Sequence, residues 1–342
     1  NANDLFEVIQ SGDYLVLTGS YRAGGNPPVT FPGMPTPTKP PKSNEEPGRL
    51  PFQVGFVQIL DISDADPTKW CVPSSGDNGR WASFWEDKHC WTASDVALEG
   101  EVGKEGCYLH VSGNLRNTPH CGGCLILDLR DPASPRKRGD VKWTRDGDYM
   151  GHGVTFDGRY QYHGNYFKGM YVVDYSDPDH LKAHGPFDYP NGKDASRGVA
   201  KVDNYLYATV TVGNREYYEQ CDVGIATFDV TVPSKARLMS QTVVPMEDRP
   251  RMDQFAHDAP PHKIQPLFDG HYFLINMGAR GIAIFDRKQD PAQPKYRGLV
   301  DMDVVPISAR PFVWDDTIWV IGDGPNDSTD NYVHLYAWER TD

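Results

Sequence analysis

The sequence predicts an all-β fold, a β-propeller of four-stranded blades, on three observations. One phrase recurs along the 342 residues, a hairpin with a tight polar turn precedes each copy, and no long amphipathic helix interrupts the pattern. The phrase is a glycine or short polar lead, an apolar-rich run, an aspartate, and a turn that often ends in Asp-Pro. It reads GFVQILDISDADP (55–67), GCLILDLRDPASP (123–135), GMYVVDYSDP (169–178), VGIATFDVTVP (223–233) and GIAIFDRKQDP (281–291), with a degenerate copy NYVHLYAWER (331–340). Six copies predict six blades, with a seventh, hidden in 23–93, as the alternative.

The elements follow in order. The hairpins are LFEVIQSGDYLVLTG, SDVALEGEVGKEGCYLHVSGN, HGVTFDGRYQYHGN, RGVAKVDNYLYATVTVGN, HKIQPLFDGHYFLINMG and RPFVWDDTIWVIGDG. Their Asp-Gly, Asp-Asn and Asp-Asp pairs supply the backbone angles that tight turns need. The repeat phrase is the third strand. Stretches such as RKRGDVKW and PKYRGLV add a fourth. Four-stranded units repeated about an axis are propeller blades. The chain reads as one domain, 1–342, with a Pro/Gly-rich loop at 23–52 and a Trp-rich insertion at 76–93. The loop lies between the second and third strands of the first blade, so it rims the face where the innermost strands begin.

GMYVVDYSDP and GCLILDLRDPASP resemble the repeat of the LVIVD β-propeller family. The resemblance implies the fold and sets the motif in the third strand and its turn, away from the axis. Asp61, Asp128, Asp174, Asp229 and Asp286 then build turns rather than carry chemistry.

Bulk properties exclude some classes. The net charge is −13 and the one basic run is Arg136-Lys137-Arg138, so nucleic acid is not an expected partner. No stretch of about eighteen apolar residues occurs, so no membrane-spanning helix is expected. There is no apolar leader at Asn1; a secreted or periplasmic protein would already have lost its signal peptide. Cysteines stand at 71, 90, 107, 121, 124 and 221. They read as disulfides of an exported protein, as free buried thiols, or as a structural zinc site of Cys107, His120, Cys121 and Cys124 with His110 nearby.

Aligning the hairpins locates the axial funnel. The innermost strands start at His152, Arg197 and Arg310, with His262 and Ser94 or Asp95 at equivalent places. The second strands return to the same face at Tyr21, Arg22, Asn114, His163, Asn165, Tyr166, Asn214, Arg215, Asn276 and Asp323. The loop FAHDAPPH adds His257 and His262. Three readings fit this set. In the first, the protein is a polysaccharide lyase that cleaves a uronate-containing glycan by β-elimination, and needs no cofactor. That chemistry needs a base, a cation for the carboxylate and an acid for the leaving oxygen. His152, His163, Tyr166 and Arg197 supply those types as catalytic residues, and Arg22, Asn114, Asn165, Arg215, His257, His262 and Arg310 would bind an anionic substrate. The catalytic set is similar to the His/His/Tyr/Arg arrangement of propeller-fold ulvan lyases. In the second reading, His257 and His262, joined by His152 and His163, hold a divalent metal such as Zn or Ca, with Asp258 or Asp95 as further ligands, and the enzyme is a hydrolase or oxidase. In the third, the propeller only binds, through Trp81, Trp85, Trp91, Tyr217 and Tyr218. No G-x-S-x-G, phosphate-loop or dinucleotide motif is present.

Overall fold

The computed structural model describes residues 4–22, 53–71, 73, 82–83, 85–86, 89–115, 121–143, 151–165, 169–189, 195–212, 222–248, 264–267, 270–276, 281–300, 305–306, 312–314, 317–323 and 333–339. Their regular structure is strand, apart from short 3-10 turns. No helix among them is long and apolar enough to cross a membrane.

The first sheet runs in the order β1 (Asp4–Ser11), β2 (Tyr14–Arg22), β3 (Gln53–Asp61), β4 (Ala82–Ser83). The second has five strands: β5 (Trp85–Glu86), β6 (His89–Glu99), β7 (Tyr108–Leu115), β8 (Cys121–Asp128) and β9 (Arg136–Lys142). The third is β10 (Gly151–Phe156), β11 (Tyr160–Asn165), β12 (Met170–Asp174), β13 (Lys182–Phe187). The fourth is β14 (Ala195–Val202), β15 (Tyr205–Val212), β16 (Asp222–Asp229), β17 (Arg237–Val243). The fifth is β18 (Ile264–Leu267), β19 (Tyr272–Asn276), β20 (Ile282–Asp286), β21 (Lys295–Val300). In the sixth, β22 (Val305–Pro306) and β23 (Phe312–Trp314) pair with different ends of β24 (Thr317–Asp323), and β25 (Val333–Glu339) pairs with its other edge.

The repeat phrase is the third strand of the four-stranded sheets, as its sequence predicts; in the second sheet, where β5 adds an edge, it is the fourth of five, and the degenerate copy is β25, paired with β24. The 23–52 loop falls between β2 and β3, outside the described residues. The Trp-rich insertion is more than an insertion: β4 closes the first sheet against Phe56 and Val57, and β5 adds an edge to the second against His89 and Cys90.

Register repeats with the sequence. The tyrosine that opens the second strand faces the repeat aspartate: Tyr14 with Asp61, Tyr108 with Asp128, Tyr205 with Asp229, Tyr272 with Asp286. Each aspartate then accepts the backbone N–H two residues on. The distances are 2.9 Å from Ser63, 3.1 Å from Arg130, 3.0 Å from Ser176, 2.9 Å from Thr231 and 2.8 Å from Lys288. This bond folds the chain out of the strand, because a short carboxylate mimics a backbone carbonyl at that spacing. A second aspartate repeats the device: Asp131, Asp177 and Asp290 accept from Ala133, Asp179 and Ala292. A proline follows each and fixes φ.

These turns also dock. Within one compact unit, residues 1–151 with 174–183, Arg138 on β9 grips Asp179 through Nε and Nη2, both at 2.7 Å. Beside it stands Gly139, where a Cβ would meet the Pro178 carbonyl at 2.4 Å. In the other unit, residues 152–173 with 184–342, Thr242 on β17 donates to the Pro294 carbonyl at 2.7 Å, and Ser240 donates to Ala292. Tyr207 reaches the Pro291 carbonyl at 2.8 Å. In both cases the turn after the repeat strand rests on the outer strand of the preceding sheet.

Alternate residues bury opposite faces. Val16, Val57 and Ile59 pack with Val96, Leu109, Val111, Leu125 and Leu127 in the first unit. In the second, Tyr162, Met170 and Val172 pack with Val199, Leu206, Ala208 and Phe228, and Tyr207 and Ile225 pack with Phe273, Ile275 and Phe285. Each fully buried Val, Leu, Ile, Met or Phe among them contributes roughly 1.5–3 kcal/mol.

The Ser63 side chain and amide hold the Asp61 carboxyl below its ordinary value of 3.8. A lowered folded pKa means that the stabilisation is full above that range and is lost as pH falls through it. Asp61→Ala should lose about 1 kcal/mol near neutral pH, the net worth of a hydrogen bond. Asp61→Asn, which keeps the acceptor, should recover most of it in thermal melts. Equal losses in both would show that the charge, not the turn, matters.

Candidate functional site

The strongest cluster of chemistry-bearing side chains in the described residues sits on the hairpin β10–β11. Its turn is tightly made. The Asp157 N–H donates to the Tyr160 carbonyl at 3.0 Å, and the Tyr160 N–H donates to Asp157 Oδ1 at 3.1 Å. Gly158 takes φ +80°, a value L side chains rarely adopt. Asp157 Oδ2 accepts from the Tyr162 hydroxyl at 2.6 Å and pairs with Lys201 Nζ at 3.3 Å. The other end of β11 is fixed by the Asn165 N–H, which donates to the Gly169 carbonyl at 3.2 Å. A Cβ on Gly169 would meet the Phe187 carbonyl at 2.1 Å, so only glycine fits.

Period-two alternation splits β11 into two faces. Tyr162 enters the apolar cluster. Gln161, His163 and Asn165 share the opposite face, and all three are 0% exposed. His163 Nε2 and Gln161 Oε1 are 2.8 Å apart, so the amide oxygen accepts and the imidazole proton sits on Nε2. His152, on β10, is half-buried. The hairpin thus carries a partly accessible histidine on β10 and a fully enclosed polar face on β11, the strand paired with it. His163, expected on the funnel wall, lies on that face.

The remaining predicted residues are distributed as follows. Arg197 lies on β14 inside an irregularity between Ser196 and Val199, where Thr209 Oγ1 accepts the Gly198 N–H at 2.8 Å. Ser94 sits in a matching irregularity between Ala93 and Asp95 on β6. Such bulges re-aim side chains and cluster near functional sites. Gly198 in a strand interior is the sequence signal that marks it. Asp95 is buried opposite Ser112. Arg22 faces Gln53 at the end of β2, and Asn114 faces Thr92 and Gly122 near the end of β7. Tyr166, Arg215, His257, His262 and Arg310 lie outside the described residues. Gln161, the partner of His163, was not singled out in the sequence; its two-residue offset on the same strand face was the available signal.

The zinc set of Cys107, His120, Cys121 and Cys124 is corrected by register. Leu129 N–H donates to the Cys107 carbonyl, so Cys107 lies opposite Leu129, while Cys124 faces Ser112. Positions 124 and 129 are five residues apart, about 16 Å along a strand, whereas two thiolates on one zinc each lie about 2.3 Å from it. The two cysteines also face opposite ways. Cys107 joins the apolar cluster with Leu109 and Val111, and Cys124 shares the face of Ser112. His110 bonds Glu99 at 2.9 Å instead; His120 lies outside the described residues. Among the described residues no group of three or more His, Cys, Asp or Glu could hold a metal ion. Cys71, Cys107 and Cys124 are free thiols, the first exposed and the others buried.

No protein-family model matches the chain, and no curated protein sequence matches it. Solved structures do. It is similar to the periplasmic gluconolactonase of Pseudomonas aeruginosa, at TM-score 0.54 and 14% identity over 98% of this chain and 96% of that one. It is similar to the α-L-arabinofuranosidase of Fusarium graminearum in complex with an iminosugar inhibitor, at TM-score 0.53 and 9% identity over 97% and 92%. It is similar to the β-propeller domain of Myceliophteria thermophila Swd1, at TM-score 0.51 and 11% identity over 99% and 86%. The fold is a β-propeller. At these identities the likeness is one of fold.

Burial pushes the Cys107 thiol up to about 12, with Asp128, Glu99 and Glu101 adding to it, and burial followed by Asp140 raises Cys124. The reactive species is the thiolate. In native protein at about pH 8, a thiol reagent should therefore modify Cys71 and spare Cys107 and Cys124 until denaturant is added. Peptide mass mapping reads the sites; fast native labelling at Cys124 would contradict the burial described.

Proposed function

We propose that this propeller is a carbohydrate-acting enzyme whose acid–base site is built on the β10–β11 hairpin. The finer proposal is a lyase that cleaves a uronate-containing glycan by β-elimination. The observation that carries it is the half-buried His152 on β10, paired with the strand that carries the enclosed layer of Gln161, His163 and Asn165. Three buried polar side chains on one strand face give up packing that apolar residues would supply, so a role in positioning a site is the economical account of them. Sugar-directed activities are also what the gluconolactonase and arabinofuranosidase names state of those proteins.

In this reading His152 takes the proton on the carbon beside the uronate carboxylate. The electron pair forms a carbon–carbon double bond, the glycosidic carbon–oxygen bond breaks, and the leaving oxygen takes a proton from Tyr166. Arg197, set on its bulge, pairs with the carboxylate and stabilises the charge that develops there. His163, held by Gln161, positions the hairpin and its neighbours rather than touching the polymer. An exported location belongs to the same proposal, because such glycans lie outside the cytoplasm.

The double bond absorbs in the ultraviolet where the substrate does not. On a panel of uronate polysaccharides, wild-type protein should give a rising absorbance. His152→Ala, with its melting temperature retained, should be slower by about a hundredfold or more, the usual worth of a general base. No rise on any member of the panel would defeat the lyase reading; a rise unaffected by His152→Ala would defeat the site.

A further inference from the structure

Another histidine, absent from the proposed chemistry, sits in a built cluster on the second sheet. His110 on β7 is 0% exposed. Its Nε2 donates to Glu99 Oε2 at 2.9 Å, and the Tyr175 hydroxyl donates to the same oxygen at 3.2 Å. The His110 and Tyr175 rings meet edge to face, with centroids 4.8 Å apart. Tyr175 is 5% exposed and belongs to the 174–183 segment, which forms one compact unit with residues 1–151. Two further contacts clamp that segment: the twofold Arg138–Asp179 pair and the close approach of Pro178 to Gly139.

We infer that His110, Glu99 and Tyr175 form a proton-operated catch that holds the 174–183 segment closed while the imidazole is neutral and releases it on acidification. The mechanism is linkage. Inside the catch the imidazole is stripped of water, which disfavours its charged form. Burial lowers the His110 pKa from its ordinary 6.5, and the Glu99 bond opposes this only in part. Once the segment lifts, His110 meets water and binds a proton normally. A depressed folded pKa means full hold above 6.5 and a progressive loss as pH falls below it.

Other titratable groups face or border the cluster. On the His110 face, by register, β6 carries Asp95 and Glu99, β7 carries Tyr108, and β8 carries Cys124 and Asp128. From β9, Arg138 pairs with both Asp128 and Asp179. On the segment itself, exposed His180 bonds Asp177 at 2.8 Å, and that bond raises its pKa, an effect of opposite sign. The acid-side response of His110 is therefore separable by substitution.

Amide hydrogen exchange of wild type and His110→Gln, at about pH 7.5 and 5.5 with rates corrected for intrinsic chemistry, tests the catch. Glutamine keeps a donor for Glu99 and cannot take up a proton. In wild type the exchange of 174–183 should accelerate about tenfold on acidification, the limit for one proton over that range, while β8 stays protected. In His110→Gln the acceleration should vanish. An unchanged rate in wild type, an acceleration that persists in the variant, or loss of protection in β8 in step with the segment would each overturn the catch. Should the variant fail to fold, titration of the His110 ring by nuclear magnetic resonance in wild type decides: a midpoint below 6.5 that moves the Tyr175 signals supports it, and a midpoint at or above 6.5 overturns it.

Discussion

One local bond recurs through the architecture: an aspartate at the end of the third strand accepting the amide two residues on. It occurs at Asp61, Asp128, Asp174, Asp229 and Asp286. The bond ends the strand and delivers the next strand antiparallel to it, at Asp128, Asp174 and Asp286 by way of a second aspartate turn. It sets more than a corner. Because the turn then rests on the outer strand of the sheet before it, as Pro178 does on Gly139 and Pro294 on Thr242, the same few residues also set how neighbouring sheets meet. Cations reinforce several copies. At Asp128, burial pushes the carboxyl up, but the Arg130 amide and the Arg130 and Arg138 guanidinium groups outweigh it and hold it low. Arg297 and the Lys288 amide do the same at Asp286.

With the third strands pinned, the second strands are free to differ, and they carry the individuality of each sheet. Position by position, β15 and β19 are mostly apolar, whereas β11 presents Gln161, His163 and Asn165 and β7 presents His110 and Ser112. Buried polar groups are tolerated only when bonded, and here the bonds are short-range: His163 to Gln161, His110 to Glu99. The sheets that carry these residues are the ones to which chemistry and proton response are assigned.

Much of this was legible in the sequence because it is local. The Asp-x-amide turn needs only an aspartate after an apolar run, so the third strands, their turns and the hairpins GDYL, FDGRY and VDNYL stood out. Burial was not legible, since it depends on what covers a face. His163 and His152 look alike in sequence, yet one is enclosed and the other half-buried. The cysteine set failed on register instead. Cys107 and Cys124 are close in the chain, but strand direction sends them to opposite faces and sets them five residues apart in register. The bulge at Arg197 was announced only by Gly198.

The proposed chemistry depends on the β10–β11 hairpin being the place where substrate sits. The most direct measurement is amide hydrogen exchange of the His152→Ala protein with and without a saturating oligouronate, which the variant should bind without cleaving. The account predicts slower exchange across residues 151–165 and at the Arg197 bulge, with the outer strands β9, β17 and β21 unchanged. Slowing confined to those outer strands would contradict it, as would exchange that the oligouronate leaves unaltered throughout.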